Sequence, residues 1–240
     1  MRKYSSVLAL ANRAAFYKIA LILAMMAAVQ IAAFCLTLGS PGSMGTLEEA
    51  IDRSHVAWIS AAAFAAICAV LAGFPGSRSG SVASYTVRRL SVSEKEFAAL
   101  CCFYNACCLI LLTAVQLLAV FVLCAVYLNR NTEQPYDPAV FLAFYRSPFL
   151  HGLLPLGDAY GWIRNLVFIA CTAVVSACTG LKLLHGREPM ICGILAGCVL
   201  LSFSRSYGEF DTMQIFAAPI FFILIFVVNK MLKGADDDEA

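Results

Sequence analysis

The longest uncharged run in this 240-residue chain begins at Phe97 and includes the 32 residues up to Leu128, none of which is Asp, Glu, Lys or Arg. As a helix, the run would be about 48 Å long at 1.5 Å per residue. It would therefore cross a hydrocarbon core of about 30 Å and project beyond it. The composition agrees, because 61% of the residues are hydrophobic, 13% are charged, and the mean hydropathy is +0.81. These values indicate an all-α polytopic membrane protein.

Apolar runs of membrane length recur along the chain and predict six transmembrane helices in a single domain, residues 1–240. The basic and amphipathic residues 1–18 precede the first span and predict an interfacial helix. Between the third and fourth spans, residues 129–163 contain four prolines and predict an external loop, whose apolar part lies on the membrane or dips into it. The predicted spans are 19–38, 56–74, 104–128, 164–184, 188–204 and 212–230.

Lys and Arg are distributed unequally over the segments between these spans. With the N-terminus inside, twelve of them lie on the cytoplasmic side and five lie outside, so the positive-inside rule predicts that both termini are cytoplasmic. The twelve are Arg2, Lys3, Arg13, Lys18, Arg78, Arg88, Arg89, Lys95, Lys182, Arg187, Lys230 and Lys233. The five are Arg53, Arg130, Arg146, Arg164 and Arg205.

Few polar side chains lie inside the predicted spans. Gln30, Asn105 and Gln116 are candidates for lining a pathway, although an interhelical hydrogen bond is the favoured alternative for each. The eleven cysteines lie inside or beside apolar runs and are interpreted as small core residues. The pairs Cys101-Cys102 and Cys107-Cys108 do not predict a metal site, because neighbouring helical residues diverge by about 100° and no histidine or carboxylate stands near.

Catalytic signatures are weak. Glu48, Glu49 and Arg53 fit the Glu-Glu-x-x-x-Arg pattern of intramembrane CAAX-type proteases. The histidine motifs of that family do not follow, so a solvated loop helix is the preferred interpretation. The chain also contains no P-loop, so we expect no catalytic residue, bound cofactor or metal in it.

The polar interval of residues 82–96 lies between the second and third predicted spans, on the predicted cytoplasmic side. It reads VASYTVRRLSVSEKE and places an apolar edge beside the cations Arg88 and Arg89. Two overlapping capping boxes, Ser91-x-x-Glu94 and Ser93-x-x-Glu96, predict that a long helix begins near Ser93. An ordinary basic loop that obeys membrane topology is the simpler alternative for the same interval.

Together, the interval YTVRRLSVSEKEF, the amphipathic N-terminal helix and six spans with both ends inside resemble the permease subunit of a bacterial ABC exporter of the type-two transport-permease family. The resemblance implies that residues 82–96 form a coupling helix docked on a separate ATP-binding subunit. It also implies that Tyr4 to Tyr17 form the elbow helix of that family. The residues expected at or beside the ATPase interface are Tyr85, Thr86, Arg88, Arg89 and Leu90.

The same resemblance implies an ATP-driven transporter, expected to be an exporter, in the cell membrane. ATP and Mg would be bound by the partner ATPase, and a second permease chain, identical or related, would complete the translocation pathway within the lipid bilayer. No nucleic-acid partner is expected. The alternative functions are a six-helix accessory or sensory membrane protein that transports nothing, and the CAAX-type protease.

Overall fold

The structure is a computed structural model, and it describes residues 2–39, 46–73, 94–130 and 139–184. These residues form helices and turns without any strand. The predicted spans 188–204 and 212–230 lie outside the described residues, as does nearly all of the interval 82–96. The helices are α1 (Arg2–Leu38), α2 (Leu47–Arg53), α3 (Val56–Gly73), α4 (Glu94–Arg130), α5 (Ala139–Arg146), α6 (Pro148–Leu153) and α7 (Ala159–Leu184).

Four of these helices are long and apolar enough to cross a membrane: Ala15–Leu38, Val56–Gly73, Glu96–Arg130 and Ala159–Leu181. Residues 2–38 form one uninterrupted helix, so no break separates the predicted interfacial helix 1–18 from the span 19–38. The helix predicted to begin near Ser93 begins at Glu94 and has 37 residues. It is about 55 Å long at 1.5 Å per residue and thus longer than a hydrocarbon core of about 30 Å, as the long uncharged run predicted.

The four long helices pack as a bundle in which α1 and α4 run in one direction and α3 and α7 run in the opposite direction. Both α1 and α7 pack against α3 and α4, so α1 and α7 stand diagonally opposite each other. We call the end where α1 and α4 finish and where α3 and α7 begin the cap end. The three short helices lie there, and α2 contacts α1, α3 and α5.

The two largest apolar clusters among the described residues lie along this bundle. The central cluster joins all four long helices and consists of Ala15, Ile19, Leu23, Met26, Ala63, Phe64, Ile67, Leu71, Cys108, Leu109, Leu112 and Ala173. The cap cluster joins α1, α3 and α4 to the short helices and consists of Phe34, Leu47, Ala50, Ile51, Val56, Val120, Leu123, Cys124, Tyr127, Ala143, Phe144, Phe149 and Leu150.

Short polar contacts hold the turns at the cap end. The Ser54 hydroxyl donates to the carbonyl of Ile51 at 2.9 Å, and His55 takes a left-handed conformation (φ 54°) that turns the chain from α2 directly into α3. The Asp158 carboxylate accepts a hydrogen bond from the Tyr160 amide at 2.9 Å and so caps α7. Because a Cβ on Gly161 would lie 2.6 Å from Pro155 Cβ, only glycine allows this close contact.

The segment 129–163, whose external position stays a prediction, is helical in most of its described residues. It contains α5, α6 and the first turn of α7, which begins five residues before the predicted start at residue 164. The Asn165 amide donates to the carbonyl of Gly152 at 2.9 Å and ties α6 to α7. The cap is thus fastened to the bundle through side chains of the long helices.

No disulfide joins the nine cysteines that the structure describes. Five of them are buried, as expected for small core residues, and these are Cys101, Cys108, Cys124, Cys171 and Cys178. Cys107 differs, because it is exposed on the outer face of α4.

Candidate functional site: a polar layer in the helix bundle

Three polar side chains from three different helices meet inside the bundle. Gln30 of α1 is 0% exposed, Ser60 of α3 is 7% exposed and Gln116 of α4 is 4% exposed. The Gln30 Nε2 group donates one hydrogen bond to Ser60 Oγ at 2.9 Å and another to Gln116 Oε1 at 3.0 Å. We call these three residues the polar layer, because they link α1, α3 and α4 at one level.

The sequence places this layer between the two apolar clusters on every helix that contributes to it. The buried residues four positions before and after each member are Met26 and Phe34 on α1, Val56 and Phe64 on α3, and Leu112 and Val120 on α4. Residues four apart lie on the same face of a helix, so each polar residue continues an apolar stripe. The layer is therefore sealed by apolar side chains on both sides along the bundle axis.

Within the described residues, some polar atoms of the layer are hydrogen-bonded, and two are not. Gln30 Nε2 has two hydrogens, and both are used. The Ser60 hydroxyl accepts from Gln30 and donates to the carbonyl of Val56 at 2.8 Å. Gln30 Oε1 and Gln116 Nε2 are buried and have no hydrogen-bond partner among the described residues. One acceptor and one amino group are thus left over.

The energetic balance of the layer is unfavourable as it stands. An interhelical hydrogen bond in a membrane protein contributes on average about 0.6 kcal/mol. A buried polar group without a partner costs about 1–3 kcal/mol. Two bonds between helices do not offset two unpaired groups, so the layer is not explained by its contribution to stability.

Asn105 occupies a second and separate polar position on α4. Its side chain is 4% exposed, and its Nδ2 group lies 3.3 Å from the carbonyl oxygen of Ala173 in α7. With the amide turned over, the same side chain accepts from the Ala177 amide at 3.3 Å and donates to the carbonyl of Cys101 at 3.2 Å. The turned-over orientation satisfies both ends of the amide with backbone groups, and either orientation joins α4 to α7.

Of the three candidate pathway residues, the structure brings two together. Gln30 and Gln116 are hydrogen-bonded, whereas Asn105 lies eleven residues earlier on α4 and contacts a different helix. The interhelical hydrogen bonds that were favoured for these side chains are present. A pathway-lining role stays a prediction.

The residues predicted at the ATPase interface cannot be placed in the same way. Tyr85, Thr86, Arg88, Arg89 and Leu90 lie outside the described residues. The structure does place both flanks of their segment. α3 ends at Gly73 and α4 begins at Glu94, both at the end of the bundle opposite the cap.

Ser60 was missed by sequence reasoning. Serine is common in membrane helices and hydrogen-bonds back to its own helix, as Ser60 does to Val56, so its identity predicts nothing. The sequence signal that could have identified Ser60 was its position in α3. Ser60 is the only Ser or Thr in α3 and lies four residues from both Val56 and Phe64 on the buried face.

The acidic residues proposed for a protease are found on the surface of the cap. Glu49 and Arg53 form an ion pair of 2.6 Å, with side-chain exposures of 47% and 53%. Within the described parts of the chain, no group of three or more His, Cys, Asp or Glu side chains could hold a metal ion. The geometry at Glu48 and Glu49 is that of a solvated helix.

Two further unpaired polar atoms lie in the cap. Neither Ser147 Oγ, next to the start of α6, nor His151 Nδ1, one turn later, finds a hydrogen-bond partner within the described segments. The His151 ring lies 5.9 Å from the ring of Tyr145. Both atoms belong to one short segment, whereas the polar layer joins three long helices and is the stronger candidate site.

Comparisons of the chain with protein-family models, with curated proteins and with solved structures returned no match.

Proposed function

We propose that this chain is the transmembrane subunit of an ATP-driven ABC transporter, an exporter in the cell membrane that works as a dimer of permease chains. Separate subunits bind and hydrolyse ATP. The observation that carries the proposal is the interval 82–96, in which an apolar edge stands beside Arg88 and Arg89. Such a segment is suited to docking on a protein partner, because charges orient the contact and buried apolar groups hold it.

The position of this interval in the fold supports the proposal. The preceding helix, α3, ends at the same end of the bundle at which the following helix, α4, begins. In the proposed orientation that end is cytoplasmic and the cap faces outward. A partner that moves the interval would act directly on the first turn of α4. Further along the same helix, Asn105 contacts α7. Gln116 contacts Gln30 of α1, which in turn is hydrogen-bonded to α3.

The distribution of apolar residues supports a membrane location. Large hydrophobic side chains are exposed on the outer faces of the long helices, while the polar layer is inside. A soluble bundle would not expose so many large apolar groups, whereas lipid chains solvate them. The exposed residues include Leu21, Met25, Leu36, Phe103, Ile110, Leu118, Phe121, Ile163 and Leu166.

Aromatic side chains at the cap end support a membrane interface there. Trp58 is 71% exposed, Tyr160 is 70% exposed and Trp162 is also exposed, and all three lie near the cap ends of their helices. Helix α5 adds exposed Phe141 and Tyr145 beside its buried Phe144. Tryptophan and tyrosine accumulate at the boundary between headgroups and acyl chains.

The proposed mechanism is a rigid-body transition driven from the partner. Closure of two ATPase subunits around ATP would push the intervals 82–96 and rock the helices from inward to outward access. α4 would transmit the displacement, because it is a continuous helix from the interval to the cap. Two permease chains would enclose the pathway, with Gln30, Asn105 and Gln116 as its candidate polar residues.

The test is a pull-down of the tagged chain from native membranes in mild detergent, with partners identified by mass spectrometry. The triple variant Arg88→Ala, Arg89→Ala, Leu90→Asp is compared with Lys95→Ala, which removes a positive charge from the same interval outside the proposed interface. We expect a P-loop ATPase with the wild type and the control, and at least a tenfold loss with the triple variant, which corresponds to about 1.4 kcal/mol. Recovery of the second permease chain without any ATPase would contradict the proposal.

A non-transporting accessory protein is the second candidate. It is favoured by the closed packing of α1, α3, α4 and α7, in which apolar clusters seal the polar layer on both sides. A pull-down that recovers membrane or sensory partners and no ATPase would replace the transporter proposal with this one.

A further inference from the structure

We propose that the polar layer is a binding site for one water molecule, held between Gln30 Oε1 and Gln116 Nε2. Both atoms belong to side chains that are at least 96% buried. Neither has a hydrogen-bond partner among the residues described. The proposal does not depend on the transporter function and would hold equally for an accessory membrane protein.

The two unpaired atoms are of opposite kinds. Gln30 Oε1 only accepts hydrogen bonds, and Gln116 Nε2 only donates them. The occupant of the site must therefore both donate and accept. A cation would be repelled by the amino group, an anion would be repelled by the amide oxygen, and an apolar group would leave both atoms unpaired.

The absence of formal charge in the layer also favours a neutral molecule over an ion as the occupant of the site. Gln30, Ser60 and Gln116 carry no formal charge, and their neighbours one turn away are apolar. A neutral occupant avoids the desolvation cost of an ion in this surrounding. Water is the smallest molecule that donates and accepts, and buried waters in proteins characteristically join polar groups that are otherwise unsatisfied.

The competing arrangement is a reciprocal amide pair. Gln30 Nε2 already donates to Gln116 Oε1, so a rotation of both side chains that lets Gln116 Nε2 donate to Gln30 Oε1 would close a ring without water. This arrangement satisfies the Gln30 oxygen and leaves one hydrogen of Gln116 unpaired. The two arrangements differ in whether the Gln116 amino group contacts water.

The experiment is water-edited solid-state NMR on the full-length chain in proteoliposomes, with 15N in the side-chain amides of Gln and Asn. The Gln30 and Gln116 signals are assigned with the single variants Gln30→Met and Gln116→Met. Asn105 is the internal control, because it is equally buried on the same helix and bonded to the α7 backbone. Its signal is assigned with Asn105→Leu.

We expect magnetisation from water to reach Gln116 Nε2 several-fold faster than it reaches Asn105 Nδ2. Equal and slow transfer at both amides would overturn the proposal. So would a through-space correlation that places Gln116 Nε2 against the Gln30 carbonyl, because this contact identifies the reciprocal pair. If a methionine variant fails to fold, the amide signals are assigned through their correlations to the backbone in the wild-type chain. The transfer rates and the Gln116-to-Gln30 correlation then test the proposal in the same way.

Discussion

Two amide side chains on α4 occupy equally buried positions and are treated differently by the fold. Asn105 and Gln116 are both 4% exposed and stand three helical turns apart. Asn105 is bonded to backbone groups in either orientation of its amide. Gln116 is bonded to one other side chain and keeps an amino group without a partner among the described residues.

The difference separates a fixed contact from an adjustable one. Backbone carbonyls and amides of α7 cannot rotate away, so Asn105 holds α4 and α7 in register. Gln30, Ser60 and Gln116 are linked through rotatable side chains and can exchange partners at little cost. If the helices move against each other, we expect the contacts of the polar layer to change before the contact of Asn105 does.

The largest effect should follow from placing a charge at the fixed contact. Asn105→Asp removes the amide donor and sets a carboxylate against the Ala173 or Cys101 carbonyl. A buried carboxylate that faces carbonyl oxygens costs more than the about 1–3 kcal/mol of a neutral unpaired group, so we expect a loss of at least about 3 kcal/mol in the free energy of unfolding. Unfolding in mixed micelles, followed by circular dichroism, measures it.

Gln116→Glu is the matched control for this prediction. Its carboxylate can still accept the hydrogen bond from Gln30 Nε2, so it should destabilise less than Asn105→Asp. The comparison between the two amides would fail if both variants lost the same stability, or if Gln116→Glu lost more.

A smaller effect should follow from removing the hub of the polar layer. Gln30→Met deletes two interhelical bonds of about 0.6 kcal/mol each and leaves Gln116 Oε1 without its donor. The variant strands the Gln116 oxygen but also removes the unpaired Gln30 oxygen, and these two penalties of about 1–3 kcal/mol offset each other, so we expect a total loss of about 1 kcal/mol. The same unfolding measurement applies, and a variant as stable as the wild type would show that the layer does not link the helices.

The smallest effect should follow from Ser60→Ala. This change removes one acceptor of Gln30 Nε2 and leaves the bond between Gln30 and Gln116 in place. We expect a loss of about 0.6 kcal/mol, the average for one interhelical bond. A loss above 2 kcal/mol would indicate that Ser60, rather than Gln30, is the centre of the layer.

The long helices were largely predictable from the sequence, and the physical reason is simple. A run of apolar residues of bilayer length must satisfy its backbone internally, so it becomes a helix. The uncharged run from Phe97 to Leu128 predicted a helix longer than a bilayer, and α4 is such a helix. The Ser-x-x-Glu patterns placed its beginning next to Glu94, where it begins.

The contacts between helices were not predictable in the same way. Lipid chains and protein interiors are both apolar, so hydropathy does not indicate which face of α1 or α3 packs inward. Gln30 and Gln116 were identified because amides are rare in apolar runs, but 86 residues separate them in the chain, and their pairing depends on the fold. Ser60 was missed because serine is unremarkable in such a helix.

The cap was the least predictable region. Its helices α5 and α6 have eight and six residues and are held mainly by packing against the ends of the long helices. Helices this short are not stable by propensity alone. The sequence, rich in proline and aromatics, predicted an external loop with an apolar part at the membrane, and it did not indicate the tertiary contacts that hold α5 and α6.

The central claim is that the two buried amides of α4 belong to separate sites, and a pair of double-mutant cycles tests it most directly. One cycle combines Gln30→Met with Gln116→Met, and the other combines Gln30→Met with Asn105→Leu, each measured by unfolding in mixed micelles. We expect a coupling energy of at least about 1 kcal/mol in the first cycle and additivity within about 0.5 kcal/mol in the second. Additivity in the first cycle, or strong coupling in the second, would contradict the account.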